Sequence, residues 1–273
     1  VAVRLAEDGG SIPVEVGMVY SDPSIDEAVD SLVSAGATRI VAVSLSPFYS
    51  TASNGKAYRL VSESVARHYG LNVVIAPEVG EFVGFAMAQG AALLEAFDRA
   101  DVASDEVAVA FTAHSLPESD VESGDFVYVD GIRRVVNALA EGLYLAPGAE
   151  GGYPVGDTDA YGTTELPRPW AVVFHSQGAR GGAWLGPKLS DFIQAAYDGG
   201  AGAVVVCPIG FSTDHLETLY DLDIRARAEA EELGMTFVRS AAPNTSDSAI
   251  QAFVDAIQTA RDAEAPLVDS REV

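Results

Sequence analysis

Two histidines and two carboxylates carry the chemistry this chain could do: His114, His175, Glu217 and Asp221. His114 follows VAVAFT, a run that reads as a buried strand, and Pro117 forces an early turn after it. A neutral imidazole there can ligate a metal or accept a proton near neutral pH; it can equally be a buried histidine bonded to a backbone carbonyl. Glu217 and Asp221, within FSTDHLETLYDLD, stand at i and i+4 and share one helix face. Like charges one turn apart repel, and nothing in folding asks for them; stacked, they offer a relay for a hard cation or for protons. Asp214-x-x-Glu217 also reads as a capping box, which accounts for those two acids but not for Asp221. Arg225, one turn further on, can neutralise Asp221 and end the relay. His215 precedes the helix and can cap it or bond a carboxylate. His114 and His175 with one glutamate could form a zinc site, although no close ligand spacing fixes one.

These groups need elements to hold them. Apolar β-branched runs alternate with amphipathic stretches, the pattern of parallel βα units. Candidate strands are Val14–Val19, Arg39–Leu45, Asn72–Ala76, Val107–Thr112, Trp170–Phe174, Ala203–Cys207 and Thr236–Arg239. Candidate helices are Ser24–Ala35, Ser53–Tyr69, Glu81–Arg99, Val129–Leu143, Lys188–Asp198, Leu216–Leu233 and Asp247–Asp262, with Gly70 and Gly234 as stops. The chemistry-bearing loops follow strands, and ligands bind open parallel sheets at the carboxyl ends of their strands. Tyr20-Ser21-Asp22-Pro23, Ser46-Pro47-Phe48-Tyr49-Ser50-Thr51 and Pro208-Ile209-Gly210-Phe211-Ser212 join the two histidine loops there. Such an edge, aromatic with hydroxyls and imidazoles, suits a large flat apolar ligand with polar fringes. The elements divide into two sets, 1–100 and 101–245, with 246–273 a C-terminal helix that packs back on the first. Residues 144–168, rich in Gly, Pro, Thr and Asp, form a long loop insertion. The opening VAVRLAEDGG reads as a helix tail without a preceding strand, so a first βα unit is expected to be missing.

Composition removes other classes. With 48% hydrophobic residues in 273, the chain can bury a real core. No apolar run approaches the ~20 residues of a membrane-spanning helix. The net charge of −24 (40 acids, 16 Lys and Arg) argues against nucleic acid. Acids spread along the whole chain suit a high-salt, halophile-like cytoplasm, where screening relieves self-repulsion. Cys207 alone allows neither an internal disulfide nor a thiolate-held cluster, and its apolar setting makes it a small buried hydrophobe. There is no GxGxxG opening a helix, no GxxxxGK[ST], no GxSxG elbow and no HExxH.

Five ordered blocks resemble one family. AFTAHSLPES, WAVVFHSQGARGGAWLGPKLSDF and VVVCPIGFSTDHLETLYDLD are similar to three signature blocks of the ferrochelatases; YSDPSIDEAVDSL and VSLSPFYSTAS are similar to two more. The resemblance implies an α/β protein of two similar Rossmann-like domains with a porphyrin cleft between them. It implies a lyase of haem biosynthesis whose substrates are a porphyrin and iron(II), with no cofactor. It maps the family's invariant histidine onto His114 and the metal-side glutamate onto Glu217, with Asp221 also on the metal path. Tyr20, Tyr49, Ser50 and Ser53 match porphyrin-lining positions. WLGP is closer to the coproporphyrin type than to the protoporphyrin type. A cytoplasmic monomer is expected, with an iron donor or haem acceptor as protein partner. Three departures stand out: the absent first unit, Arg225 in place of a third acid, and the long insertion. The alternatives are a chelatase for another tetrapyrrole or metal, and a non-catalytic tetrapyrrole-binding domain.

Overall fold

Strands buried on both faces read as unbroken apolar runs, because helices cover each side of a parallel sheet. VAVAFTAH, WAVVFH and AVVVC obey this as β3 (Val107–His114), β4 (Trp170–His175) and β5 (Ala203–Cys207), buried throughout except for the half-buried His114. The computed structural model describes residues 1–7, 12–101, 106–121, 126–142, 169–178 and 181–263; the 144–168 insertion lies outside them.

With β6 (Thr236–Arg239) these strands form a parallel sheet in the order β4-β3-β5-β6. On one face lie α4 (Val83–Ala100), α6 (Phe126–Gly142) and α9 (Asp247–Asp262); on the other lie α7 (Leu189–Asp198), a π-helix (Thr218–Ala226) and its continuation α8 (Arg227–Glu232). Phe111, fully buried, meets Trp170 edge-on at 5.8 Å; truncation to Ala would cost about 3–5 kcal/mol.

The second sheet is smaller. β1 (Arg39–Ala42) and β2 (Asn72–Ile75) pair in parallel, flanked by α2 (Ile25–Ser34) and α3 (Lys56–Val65). α2 starts with a true capping box, Ser24 with Glu27. α9 packs on α4 and reaches β1, where the Arg39 guanidinium donates to the carbonyls of Ala260, Arg261 and Ala263 at 2.9, 3.1 and 3.1 Å. A short α1 (Ala2–Glu7) opens the chain, and α5 (Glu118–Asp120) follows β3.

Three expectations are corrected. Val14–Val19 is no strand: only Met18 makes an isolated bridge, to Ser24, and Val14, Val16 and Met18 are exposed. Alternation marks a strand only when a neighbour accepts its backbone bonds, and no strand among the described residues lies alongside. The helix expected over Ser53–Tyr69 begins with a π-helical turn, Thr51–Gly55, and the one expected over Leu216–Leu233 becomes π-helical over Thr218–Ala226, after Leu216 and Glu217. The Asp214–Glu217 capping box does not form. Glu217 makes no cap bond, and Asp214 is taken by Arg239, from β6, and by Asn244.

Candidate active site

The register of β3 against β4 places His114 opposite His175 at their carboxyl ends. Both imidazoles are thus delivered to the same edge by adjacent strands. The β5 loop completes it through a close approach: a Cβ on Gly210 would stand 2.7 Å from Ala113 Cβ. That contact brings Phe211 beside the histidines, its ring centroid 4.7 Å from His215 and 5.5 Å from His175. The π-helix that follows projects Glu217 towards β3.

His114 Nδ1 lies 2.6 Å from Ser115 O and Nε2 lies 3.5 Å from Glu217 Oε1. The reading as a histidine bonded to a backbone carbonyl is met at Nδ1, and Nε2 is left facing Glu217. The carbonyl keeps the proton on Nδ1, so Nε2 is the position whose proton comes and goes: protonated, it donates to Glu217, and in the neutral imidazole it carries the lone pair. Glu217 Oε2 is 3.4 Å from His215 Nε2. Burial opposes charging His114, but the hydrogen bond and charge of Glu217 outweigh it and its pKa rises. Glu217 is held ionised, well below the usual carboxylate range, by hydrogen bonds from His114 and then His215.

His175 is the opposite case, with its side chain 6% exposed. Burial, and then the neighbouring His114, push its pKa down to about 4. The Ser176 hydroxyl donates to Asp221 Oδ2, so it accepts from His175 Nδ1 at 2.6 Å. Nε2 of His175 is left as a buried lone pair without a partner among the described residues. Asp221 Oδ1 also receives Arg225 Nη1 at 3.3 Å, the neutralising contact expected from their spacing. A cavity of about 630 Å³ opens beside these groups, lined by His114, His175, Ser176, Glu217, Asp221 and Arg225 and extending to Lys188 and Glu229.

The first-half residues sit elsewhere. Ser50 is buried and caps the π-turn through the Ser53 amide at 3.2 Å, and its hydroxyl is 2.6 Å from that of Ser53. The Tyr49 hydroxyl packs on Gly55, and exposed Tyr20 carries Lys56 Nζ 4.1 Å above its ring. Among the described residues no hydrogen bond or ion pair joins these four to His114, Glu217 or Asp221, and none of them lines the cavity. Tyr49, Ser50 and Ser53 belong to the loop and π-turn that follow β1, and Tyr20 meets the start of α3 through Lys56. Phe48 anchors that loop by burying against Gly80, where a Cβ would come within 2.5 Å of its ring. Ser212 Oγ donates to Leu45 O, which couples the two edges, and Gln89 Nε2, from α4, donates to Phe211 O and holds the β5 loop.

Sequence reasoning passed over several partners. The buried Tyr128 hydroxyl donates to His114 O at 3.1 Å, and burial followed by the charge of Glu217 raises its pKa. The Asn54 amide, fully buried, donates to Glu78, whose pKa burial lifts to about 7. Tyr128 falls just before the helix expected from Val129, Asn54 in the first turn of the helix expected from Ser53, and Glu78 in a loop; no local spacing betrays them.

The ferrochelatase family model matches residues 1–261. The chain belongs to the ferrochelatase family. A ferrochelatase of Acidobacterium capsulatum is 32% identical over 252 residues, which are 89% of this chain and 72% of that protein. The coproporphyrin III ferrochelatase of Halalkalibacterium halodurans is 29% identical over 89% of this chain and 71% of its own length. Among solved structures, SirB from Bacillus subtilis with Fe3+ superposes with a TM-score of 0.61 at 14% identity, covering 96% of this chain and 88% of SirB. That likeness shows the fold: α/β with parallel sheets. As a ferrochelatase-family protein the chain is of the lyase-class metal chelatases, and no helix among its described residues is long and apolar enough to cross a membrane.

Proposed function

We propose that this protein inserts iron(II) into a porphyrin, coproporphyrin III in preference to protoporphyrin IX, with His114 and Glu217 as the working pair. The observation that carries the reading is the Nε2–Oε1 approach of 3.5 Å at the mouth of a cavity at the carboxyl edge of β3. Metallation exchanges iron's water for four ring nitrogens and releases two pyrrole protons. The Nε2 lone pair of neutral His114 accepts one of them, and solvent water takes the other. Glu217, ionised and bridged to His215, stabilises the imidazolium and meets the incoming cation; Asp221 lies one turn behind it. Tyr20, Tyr49, Ser50 and Ser53 line the porphyrin side, on the edge of a first Rossmann-like half (1–100) that faces a second (101–245). The lean towards coproporphyrin rests on WLGP and on relatives that include coproporphyrin III ferrochelatases.

The test is an anaerobic assay with iron(II) and each porphyrin in parallel. Metallation faster with coproporphyrin III is expected. Faster turnover of protoporphyrin IX would reverse the substrate assignment, and tight porphyrin binding without any metalloporphyrin would remove the enzyme reading.

A further inference from the structure

The helix that carries Glu217 is held from both sides by a residue outside the site. Arg239, at the end of β6, donates from Nε and Nη2 to the two oxygens of Asp223 at 2.8 and 2.9 Å, and from Nη1 to Asp214 Oδ1 at 2.7 Å. Its side chain is 10% exposed. The other oxygen of Asp214 accepts from Asn244 Nδ2 at 2.8 Å, and the Asp214 amide donates to Asn244 Oδ1 at 2.9 Å. Asn244 is itself set in a left-handed conformation (φ 48°), with its amide on Ser212 O at 2.8 Å. Asp214 precedes Glu217 and Asp223 follows it, so the guanidinium spans the segment that presents both cavity acids.

A run of π-helix is a poor backbone choice by itself, rare outside functional sites, and needs outside bonds to persist. A planar fork that grips one carboxylate with two donors fixes direction as well as distance. The same network explains why Glu217 is free. The Asp214 amide, which a capping box would offer to the Glu217 carboxylate, already donates to Asn244 Oδ1, and the Asp214 carboxylate, which would cap the helix, is taken by Arg239, Asn244 and the Thr218 hydroxyl at 3.4 Å. We infer that Arg239, with Asn244, is the positioning residue of the metal-side carboxylate, holding the π-helix so that Glu217 faces His114. Its kinetic consequence rests on the chelatase reading above; its structural consequence does not.

The variants are Arg239→Lys, which keeps the charge and loses the fork, and Asn244→Ala, which frees one side of Asp214. Initial rates are measured against iron(II) and against porphyrin separately, with thermal melts, and amide hydrogen exchange is followed in residues 214–226. The expected result for Arg239→Lys is an iron(II) KM raised about tenfold, with kcat and porphyrin KM within about twofold. Asn244→Ala should shift the same parameter less, and it carries the test if Arg239→Lys does not fold. An unchanged iron(II) KM, or losses in kcat and both KM values that merely track the melting temperature, would overturn the assignment. If the wild-type protein metallates no porphyrin, the function above falls while the clamp is judged by exchange. Faster exchange confined to 214–226 supports it, and equal protection in wild type and variant refutes it.

Discussion

The two sheets end in different chemistry. At the edge of β3, β4 and β5 the polar groups are imidazoles and carboxylates with fixed partners: His114 with Glu217, His175 with Ser176 and Asp221. At the edge of β1 and β2 they are hydroxyls and an amide, Ser50, Ser53 and Asn54, beside a carboxyl, Glu78, whose pKa burial lifts to about 7. The difference follows from support. Strands buried on both faces hold adjacent side chains in place, so charge can be set beside charge with a defined tautomer. A two-stranded sheet with half-exposed flanks offers less restraint, and neutral groups tied to a capped turn suffice there. Titratable groups set beside one another thus gather on the rigid half, and a hydrogen-bonded cluster of hydroxyls and an amide on the other.

The sharpest break between the halves is expected from His114→Ala, which should lower kcat about a thousandfold while porphyrin still binds. Wild-type rates in that variant would disprove its role. Next comes Glu217→Gln, for which kcat/KM for iron(II) should fall roughly a hundredfold with porphyrin KM little moved; a loss confined to porphyrin KM would place Glu217 on the wrong side of the ring. Asn54→Ala tests the opposite half and should raise porphyrin KM about fivefold without touching iron(II) KM. Equal effects on both substrates would erase the division proposed here.

Glu78→Gln separates the halves by pH. The folded value of about 7 exceeds the ~4.3 of an unfolded glutamate. The folded state therefore binds more protons between these values, and the contribution of neutral Glu78 is present below the unfolded value and lost as pH rises through about 7. The glutamine stays neutral, so thermal melts should show the variant more stable than wild type at about pH 8 and equal to it near pH 4. A difference independent of pH would mean that Glu78 ionises as freely as an exposed acid. The smallest effect is expected from Arg225→Gln: releasing Asp221 should improve iron(II) capture about twofold at low salt and vanish in molar KCl, where screening is complete.

Several elements were legible because their cause is local. AVVVC and VAVAFT are apolar without interruption, as strands covered on both faces must be. Asp247–Asp262 stands where its Ser246 cap and apolar period place it. The i, i+4 spacing foretold the ion pair of Asp221 with Arg225. Val14–Val19 misled because alternation describes a face and says nothing of a pairing neighbour. Asp214 misled because a capping box competes with partners that sequence distance conceals, Arg239 and Asn244 standing 25 and 30 residues away.

The sequence by itself determined the parallel α/β pattern, the burial of β3, β4 and β5, and which histidines and acids reach a strand exit or a helix start. Periodicity, capping and apolar runs act over a few residues, and those outcomes depend on little else. Only the tertiary structure decided that His114 meets Glu217, that His175 keeps a bare nitrogen, and that Glu217 is not spent on its own helix. Those outcomes depend on strand register, on Gly210 pressed against Ala113, and on Asn244, which takes the Asp214 amide that a capping box would offer to Glu217.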